Sequence, residues 1–368
     1  MGRLRRRLAG ETVTALRCSF LVPGELGTRT GGYSYDRRII EGLRALRWQV
    51  DVHSLGEGYP MPGTDAIAQT KRVVEALPDH SCVVVDGLAF GAMAEMAQRH
   101  AQRLRWIALV HHPLALETGL SAAQKRALFD SEKRALATAR CVIVTSPSTA
   151  RALAGFDVPA SHIVVAEPGT DPAPLATGSG ADDALSLLCV ASVTPRKGHR
   201  LLVEALAGLK DRRWTLRCAG SLTMDAACAR EVDAAIERHG LRGRVVLHGE
   251  LDEAGLQPLY AGSDLFVLPS FHEGYGMALA EALARGIPVL GTTAGAIPDT
   301  VPADAGVLVA PGDAAALRAA LQRLLDDPAS RARLAEGAWT ARLRLPTWAG
   351  SAMRVAAALG EQTRIGGR

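Results

Sequence analysis

Short, uninterrupted apolar runs recur along the chain, each followed by a longer stretch whose apolar positions repeat with helical spacing. In the first half the runs lie at 18–22, 50–53, 82–85, 106–110, 141–145 and 163–166, with amphipathic stretches at 35–46, 66–77 and 121–139. A strand that is apolar at every position is buried on both faces, the condition of a parallel sheet covered by helices. From 168 to 183 the texture changes to Pro, Gly, Ala and Ser, a linker composition that suits a hinge. The rhythm restarts with runs at 185–190, 216–219, 245–247, 265–268, 288–291 and 307–309. The pattern predicts two Rossmann-like, doubly wound parallel-sheet domains over 1–175 and 176–345, facing each other across a cleft. A C-terminal helix and tail occupy 346–368, with Trp348, Met353 and Val355 available for packing. In open α/β sheets ligands sit outside the carboxyl ends of the strands, so the interdomain cleft is the expected site.

Composition narrows the class. A chain of 368 residues is long enough for two cores, and 48% hydrophobic against 22% charged residues is a globular balance. No stretch approaches the roughly 18 uncharged apolar residues of a membrane span. Arg3, Arg5, Arg6 and Arg7 open the chain, but Glu11 and Arg17 interrupt the segment after them, so no signal-peptide core forms. The expectation is a cytoplasmic protein whose basic start is a solvated tail, with contact to anionic lipid at the inner membrane face as the alternative. A net charge of +4 gives no reason to expect nucleic acid. Of the six cysteines none forms a CxxC pair, and five (Cys18, Cys82, Cys141, Cys189, Cys218) fall in strand-like runs as small hydrophobes.

The segment 270–281, Ser-Phe-His-Glu-Gly-Tyr-Gly-Met-Ala-Leu-Ala-Glu, carries the most chemistry. It leaves an apolar strand and enters a helix starting near Gly276. Gly274 and Gly276 bare backbone N–H groups at that helix start, where phosphate is favoured. Glu273 in the loop and Glu281 inside the helix are acceptors suited to the vicinal diols of a sugar or ribose. A second segment, Ala191-Ser-Val-Thr-Pro-Arg-Lys-Gly198, comes after the first strand of the second domain. Lys197 is one of only five lysines, and with Arg196 it offers a forked and a flexible cation to a pyrophosphate. Such cations also stabilise charge building on a leaving group.

In the first domain, Gly31 and Gly32 end the loop 27–33 and permit close backbone approach to a phosphate or sugar. The loop is not G-x-G-x-x-G, so the dinucleotide fingerprint is absent and an NAD-linked oxidoreductase is disfavoured. His111 and His112 come directly after the strand at 106–110, again at the carboxyl edge, and either is a candidate site residue.

The spacing from Glu273 to Glu281 resembles the E-x(7)-E signature of the group-one retaining glycosyltransferases of the GT-B fold (glycosyltransferase family four). The resemblance covers nearly the whole chain and is strongest over 185–313. It implies that Glu273 contacts hydroxyls of the donor sugar and Glu281 the nucleotide ribose. It also implies that the backbone of Gly274, Tyr275, Gly276 and Met277 faces the sugar and pyrophosphate, that Gly31 and Gly32 line the donor phosphate, and that His111 lies near the reacting sugar. The family places an arginine five residues before the lysine; Ser192 stands there instead, and Arg196 is the substitute cation. The implied activity is retaining transfer of a sugar, a hexose by expectation, from a nucleotide-sugar co-substrate to an acceptor hydroxyl. The acceptor, a saccharide, lipid-linked saccharide or small metabolite, is left open. There is no D-x-D, Walker A or H-E-x-x-H sequence, so neither metal nor bound cofactor is expected. A sugar-nucleotide epimerase of the same fold and a non-catalytic sugar-nucleotide-binding partner subunit are the alternatives.

Overall fold

The structure is a computed structural model that describes residues 16–117, 119–180 and 184–364. Arg3, Arg5, Arg6 and Arg7, and the last linker residues 181–183, lie outside the described residues. Two six-stranded sheets form, and every pairing within them is parallel. The first comprises β1 (Arg17–Val22), β2 (Gln49–Ser54), β3 (Cys82–Asp86), β4 (Arg105–Val110), β5 (Cys141–Val144) and β6 (Ile163–Val165), in the order β2-β1-β3-β4-β5-β6. The second comprises β7 (Leu185–Val190), β8 (Trp214–Ala219), β9 (Val245–Gly249), β10 (Leu265–Val267), β11 (Val289–Thr292) and β12 (Gly306–Val309), in the order β12-β11-β10-β7-β8-β9.

Each strand coincides with an apolar run, because a strand covered on both faces has no solvated side. Every residue of β3 and β5 is buried, as are Trp106 to Val110 of β4. Full burial of one such side chain contributes about 1.5–3 kcal/mol, enough across a sheet to offset the ordering of its backbone. Counted from β7, the second sheet has the strand order 3-2-1-4-5-6 of the dinucleotide fold, so its chain direction switches between β7 and β10. The first sheet switches between β1 and β3. These two crevices position the site.

Three local features depart from the sequence pattern. The first helix, Gly31–Ala45, starts at Gly31, so the glycine pair opens the helix instead of ending a loop. Thr30 caps it, its side chain accepting from the Tyr33 N–H, and this cap outweighs the poor helix propensity of glycine. The stretch read as a linker is held to both neighbouring elements through its backbone. Ala176 donates to the Arg285 carbonyl and Thr177 to that of Ala261, at 2.9 Å each, while Thr170 donates to Pro346 at 2.8 Å. Met353 does not pack: it is 55% exposed, on the outer face of the final helix Trp348–Arg364. That helix returns to the first domain, where Val355, Ala358 and Leu359 join Tyr35, Ile39, Ile40 and Leu43 in one core. Gly42 permits the approach, since a Cβ there would lie 2.4 Å from that of Ala352.

Candidate active site

The loops leaving β7 and β10 meet at the switch point of the second sheet. Gly198 has φ +72° and sits against the Pro269 carbonyl, 2.3 Å from where its Cβ would be, so only glycine fits. The Phe271 N–H donates to the Arg196 carbonyl at 2.8 Å, which ties the two loops together. Lys197 Nζ donates to both oxygens of Glu273, at 2.7 and 2.9 Å, and Ser270 Oγ donates to Oε1 at 2.6 Å. Glu273 is 6% exposed. Burial alone would raise its pKa, but Lys197 and Arg196, with the hydrogen bonds from Lys197 and Ser270, hold it below the usual range. Arg196 donates to the His272 carbonyl at 2.9 Å and reaches across the cleft to Glu117, Nε to Oε1 at 3.2 Å. The Glu273 backbone is braced from behind: its carbonyl accepts from the Ala296 N–H at 2.9 Å, and Gly295 (φ +57°) leaves no room for a side chain.

Beyond Glu273 the chain turns through Gly276, at φ +91°, into the helix Met277–Ala284. Tyr275 is buried, and its carbonyl accepts from Thr300 Oγ1 at 2.6 Å. Glu281, one helical layer further, accepts from the Tyr260 hydroxyl at 2.9 Å. Tyr260 is itself immobilised, stacked on Phe266 with the Arg285 guanidinium 4.2 Å above its ring. Burial raises the Glu281 carboxyl despite the Tyr260 hydrogen bond and the Arg285 charge.

Across the gap, His111 at the end of β4 is backed by two buried carboxylates. Its Nε2 lies 3.3 Å from Asp36 Oδ1 and 3.7 Å from Asp86 Oδ2. Asp36 is wholly inaccessible, and neither of its oxygens has a hydrogen-bond partner. Burial and then the Asp36 charge push Asp86 up to about 7, opposed by His111. His111 loses by burial but gains more from Asp36 and Asp86, so its pKa is raised. Like charge across the cluster thus favours the protonated forms of Asp86 and His111. The ligand atoms of the three lie within 4.8 Å of one another, so among the described residues they form a group able to hold a divalent ion. His112 faces elsewhere, 3.2 Å from Glu117 Oε2 and with its ring 5.7 Å from that of His272.

The two halves touch. A Cβ at Gly274 would lie 2.2 Å from the His111 carbonyl oxygen and one at Gly31 3.8 Å from Met277 Sδ; within the first domain, one at Gly32 would lie 3.4 Å from His111 Cδ2. Thr145 and Thr149 donate to the His111 carbonyl at 3.1 and 3.3 Å. The fold therefore gathers Gly31, Gly32, His111, Arg196, Lys197, Glu273, Gly274, Gly276 and Met277 at one cleft, with Glu281 behind them. Sequence reasoning missed Asp36, Asp86, Glu117 and Tyr260. Asp86 alone left a trace, as the acidic last residue of an apolar strand at the same sheet edge as His111.

Residues 59–169 match the glycosyl transferase 4-like domain and residues 184–327 the glycosyl transferases group 1 domain. The chain belongs to the group 1 glycosyltransferases. Together the two matches span about two thirds of it and divide where its two domains divide. A D-inositol 3-phosphate glycosyltransferase of Xylanimonas cellulosilytica is 34% identical over 44% of this chain and 39% of its own length. An MMP alpha-(1->4)-mannosyltransferase of Mycolicibacterium hassiacum is 26% identical over 79% of this chain and 73% of its own. The match to the first thus spans well under half of that relative. Sucrose-phosphate synthase of Thermosynechococcus elongatus superposes with a TM-score of 0.80 at 23% identity, over 95% of this chain and all of that one. HepE of Anabaena, solved with UDP and glucose, gives 0.75 at 20%, over 94% and 100%. These likenesses establish the GT-B fold of this family member. Among the described residues no helix is long and apolar enough to cross a membrane.

Proposed function

We propose that this chain transfers a glycosyl group from a nucleotide-sugar donor to an acceptor hydroxyl, with retention at the anomeric carbon and with side-chain cations in place of a metal. The observation that carries the reading is the Lys197–Glu273 pair at the switch point of the second sheet, facing His111 of the first domain. The ribose diol binds at the free edge of the Glu281 carboxylate, whose other oxygen is held by Tyr260. The diphosphate lies over the start of the helix Met277–Ala284, where unpaired N–H groups and the helix dipole favour anions. Lys197 and Arg196 approach it from the facing loop, Arg196 exchanging its Glu117 partner for a phosphate oxygen. Glu273 accepts from the sugar hydroxyls while keeping its contact with Ser270.

As the anomeric C–O bond lengthens, negative charge grows on the diphosphate, and the two cations stabilise it more in the transition state than before. The acceptor hydroxyl attacks from the face the leaving group vacates, and a phosphate oxygen takes its proton. His111, kept protonated beside Asp36 and Asp86, donates to a sugar hydroxyl at the reacting centre. That Anabaena HepE is described with UDP and with UDP-glucose supports a nucleotide-sugar donor.

The test is a thermal-shift screen of UDP-, GDP- and ADP-sugars, followed by transfer assays in EDTA with the stabilising donor and a panel of hydroxylated acceptors. The expected result is a product whose anomeric proton coupling matches that of the donor. A new epimer formed without acceptor, or binding with no turnover on any acceptor, would replace this reading with an epimerase or a silent binding subunit. Activity abolished by EDTA and restored by a divalent ion would remove its metal-independent part.

A further inference from the structure

Behind the cleft lies a second cluster that the proposed reaction does not use. Cys189 of β7 and Cys218 of β8 are direct register partners on neighbouring parallel strands. His199, first residue of the helix His199–Ala207, turns inward above them. The three are 0%, 4% and 2% exposed, within an apolar core that includes Leu187, Leu202 and Leu216. His199 Nε2 is 3.6 Å from Cys189 Sγ, and one ligand atom from each residue falls within 4.8 Å of the others. The remaining imidazole nitrogen, Nδ1, has no hydrogen-bond partner.

We propose that Cys189, Cys218 and His199 bind a single copper(I) ion. With metal–sulfur and metal–nitrogen bonds of about 2.3 and 2.0 Å, a sulfur and a nitrogen on one ion stand about 3.6–3.8 Å apart. The 3.6 Å thiol–imidazole contact between Cys189 Sγ and His199 Nε2 matches that edge. Two thiolates and an imidazole are a soft set that selects copper(I) or zinc. Structural zinc takes four ligands, and among the described residues no fourth Cys, His, Asp or Glu joins this group. Its burial excludes water from a fourth position. Copper(I) is satisfied by three. Binding is a ligand substitution without change of oxidation state: two Cu–S bonds and one Cu–N bond form, and the two thiol protons leave to solvent. The ion would fasten β7, β8 and the helix that begins two residues after Lys197, and so stiffen the loop carrying that lysine.

The full-length reduced chain is titrated anaerobically with copper(I) in competition with bicinchoninate. The expected result is one tightly held equivalent, a rise in Tm on loading, and a loss of affinity of at least about 100-fold in Cys189→Ser and Cys218→Ser. Cys228→Ser, which alters a half-exposed cysteine outside the cluster, keeps the equivalent. X-ray absorption at the copper edge of the loaded native chain, independent of how the variants fold, is expected to give two sulfur scatterers and one nitrogen. The proposal is overturned if the native chain fails to compete for copper(I) or if the Cys→Ser variants retain the equivalent. It is also overturned if the spectrum lacks two sulfurs, or if zinc(II) is held as tightly as copper(I).

Discussion

Lys197 and Glu273, supplied by loops 76 residues apart in sequence, form a bidentate ion pair with both contacts under 3 Å and only 6% of Glu273 exposed. A pair so enclosed is worth little as a net source of stability, because desolvation cancels much of the attraction. Its value lies in holding a lysine and a carboxylate ready at one point. Removing one partner therefore separates two effects.

Lys197→Ala leaves the Glu273 charge buried without its main partner. The expected cost is about 3–5 kcal/mol at pH 8, read from thermal or denaturant unfolding. Because the native Glu273 pKa is depressed, the pair's contribution is present above the unfolded carboxyl range and is lost as pH falls through the folded pKa. In the variant burial raises that pKa, so the gap between native and variant should narrow at pH 5. Turnover should fall by about 10²–10³-fold, the loss typical of removing one charge-stabilising group. A gap that does not depend on pH would contradict the assignment.

Tyr260→Phe keeps the stacking on Phe266 and removes only the hydroxyl that fixes Glu281. Calorimetry with the donor nucleotide should show affinity weakened by about tenfold, the worth of one hydrogen bond to a carboxylate. Glu281→Ala should weaken it further, and the double variant should add little to Glu281→Ala alone.

Asp86→Asn preserves the acceptor that caps the Leu88 N–H, held at 2.7 Å, while removing a carboxyl pushed up to about 7. A raised carboxyl pKa means that the folded state binds the extra proton, so native stability falls as pH rises from the unfolded carboxyl range through 7. The variant escapes that fall. Its Tm relative to the native chain should be higher at pH 8 than at pH 5.

Asp36→Asn removes the nearer of the two charges that raise His111. The His111 imidazole, followed by NMR, should titrate at lower pH in the variant. Any stability tied to its raised pKa, complete below about 6.5 and lost as pH rises through the folded value, should shrink in step. An unmoved titration would remove Asp36 from the cluster's electrostatics.

Gly274→Ala introduces a methyl group aimed at the His111 carbonyl, 2.2 Å away. The clash lies between domains, so each domain should fold normally while the closed arrangement is denied. Tm and nucleotide affinity should change little, kcat should fall at least about 100-fold, and small-angle scattering should show a wider cleft.

Much of this was legible in the sequence because parallel strands buried on both faces leave unbroken apolar runs. All twelve strands overlap such runs, and the loops bearing Lys197 and Glu273 come directly after two of them. The residues that escaped are those whose burial is decided by tertiary contacts. Asp36 sits in an amphipathic helix and reads as a solvated position, but the helix presses it against the ends of β3 and β4. Tyr260 comes two residues after Pro258 in a helix with weak periodicity, and nothing local links it to Glu281, 21 residues on. Cys189 and Cys218 lack metal-ligand spacing in the chain and meet only through strand register. Met353 erred the other way, since an apolar residue on a helix is no guarantee of a buried face.

The return of the final helix to the first domain has a mechanical consequence. The polypeptide passes between the two lobes twice, once outward near residue 170 and once back near 346, and these passages are stitched side by side by the Thr170–Pro346 hydrogen bond. A lobe suspended from one strap can swivel in any direction; one suspended from two adjacent straps can chiefly nod.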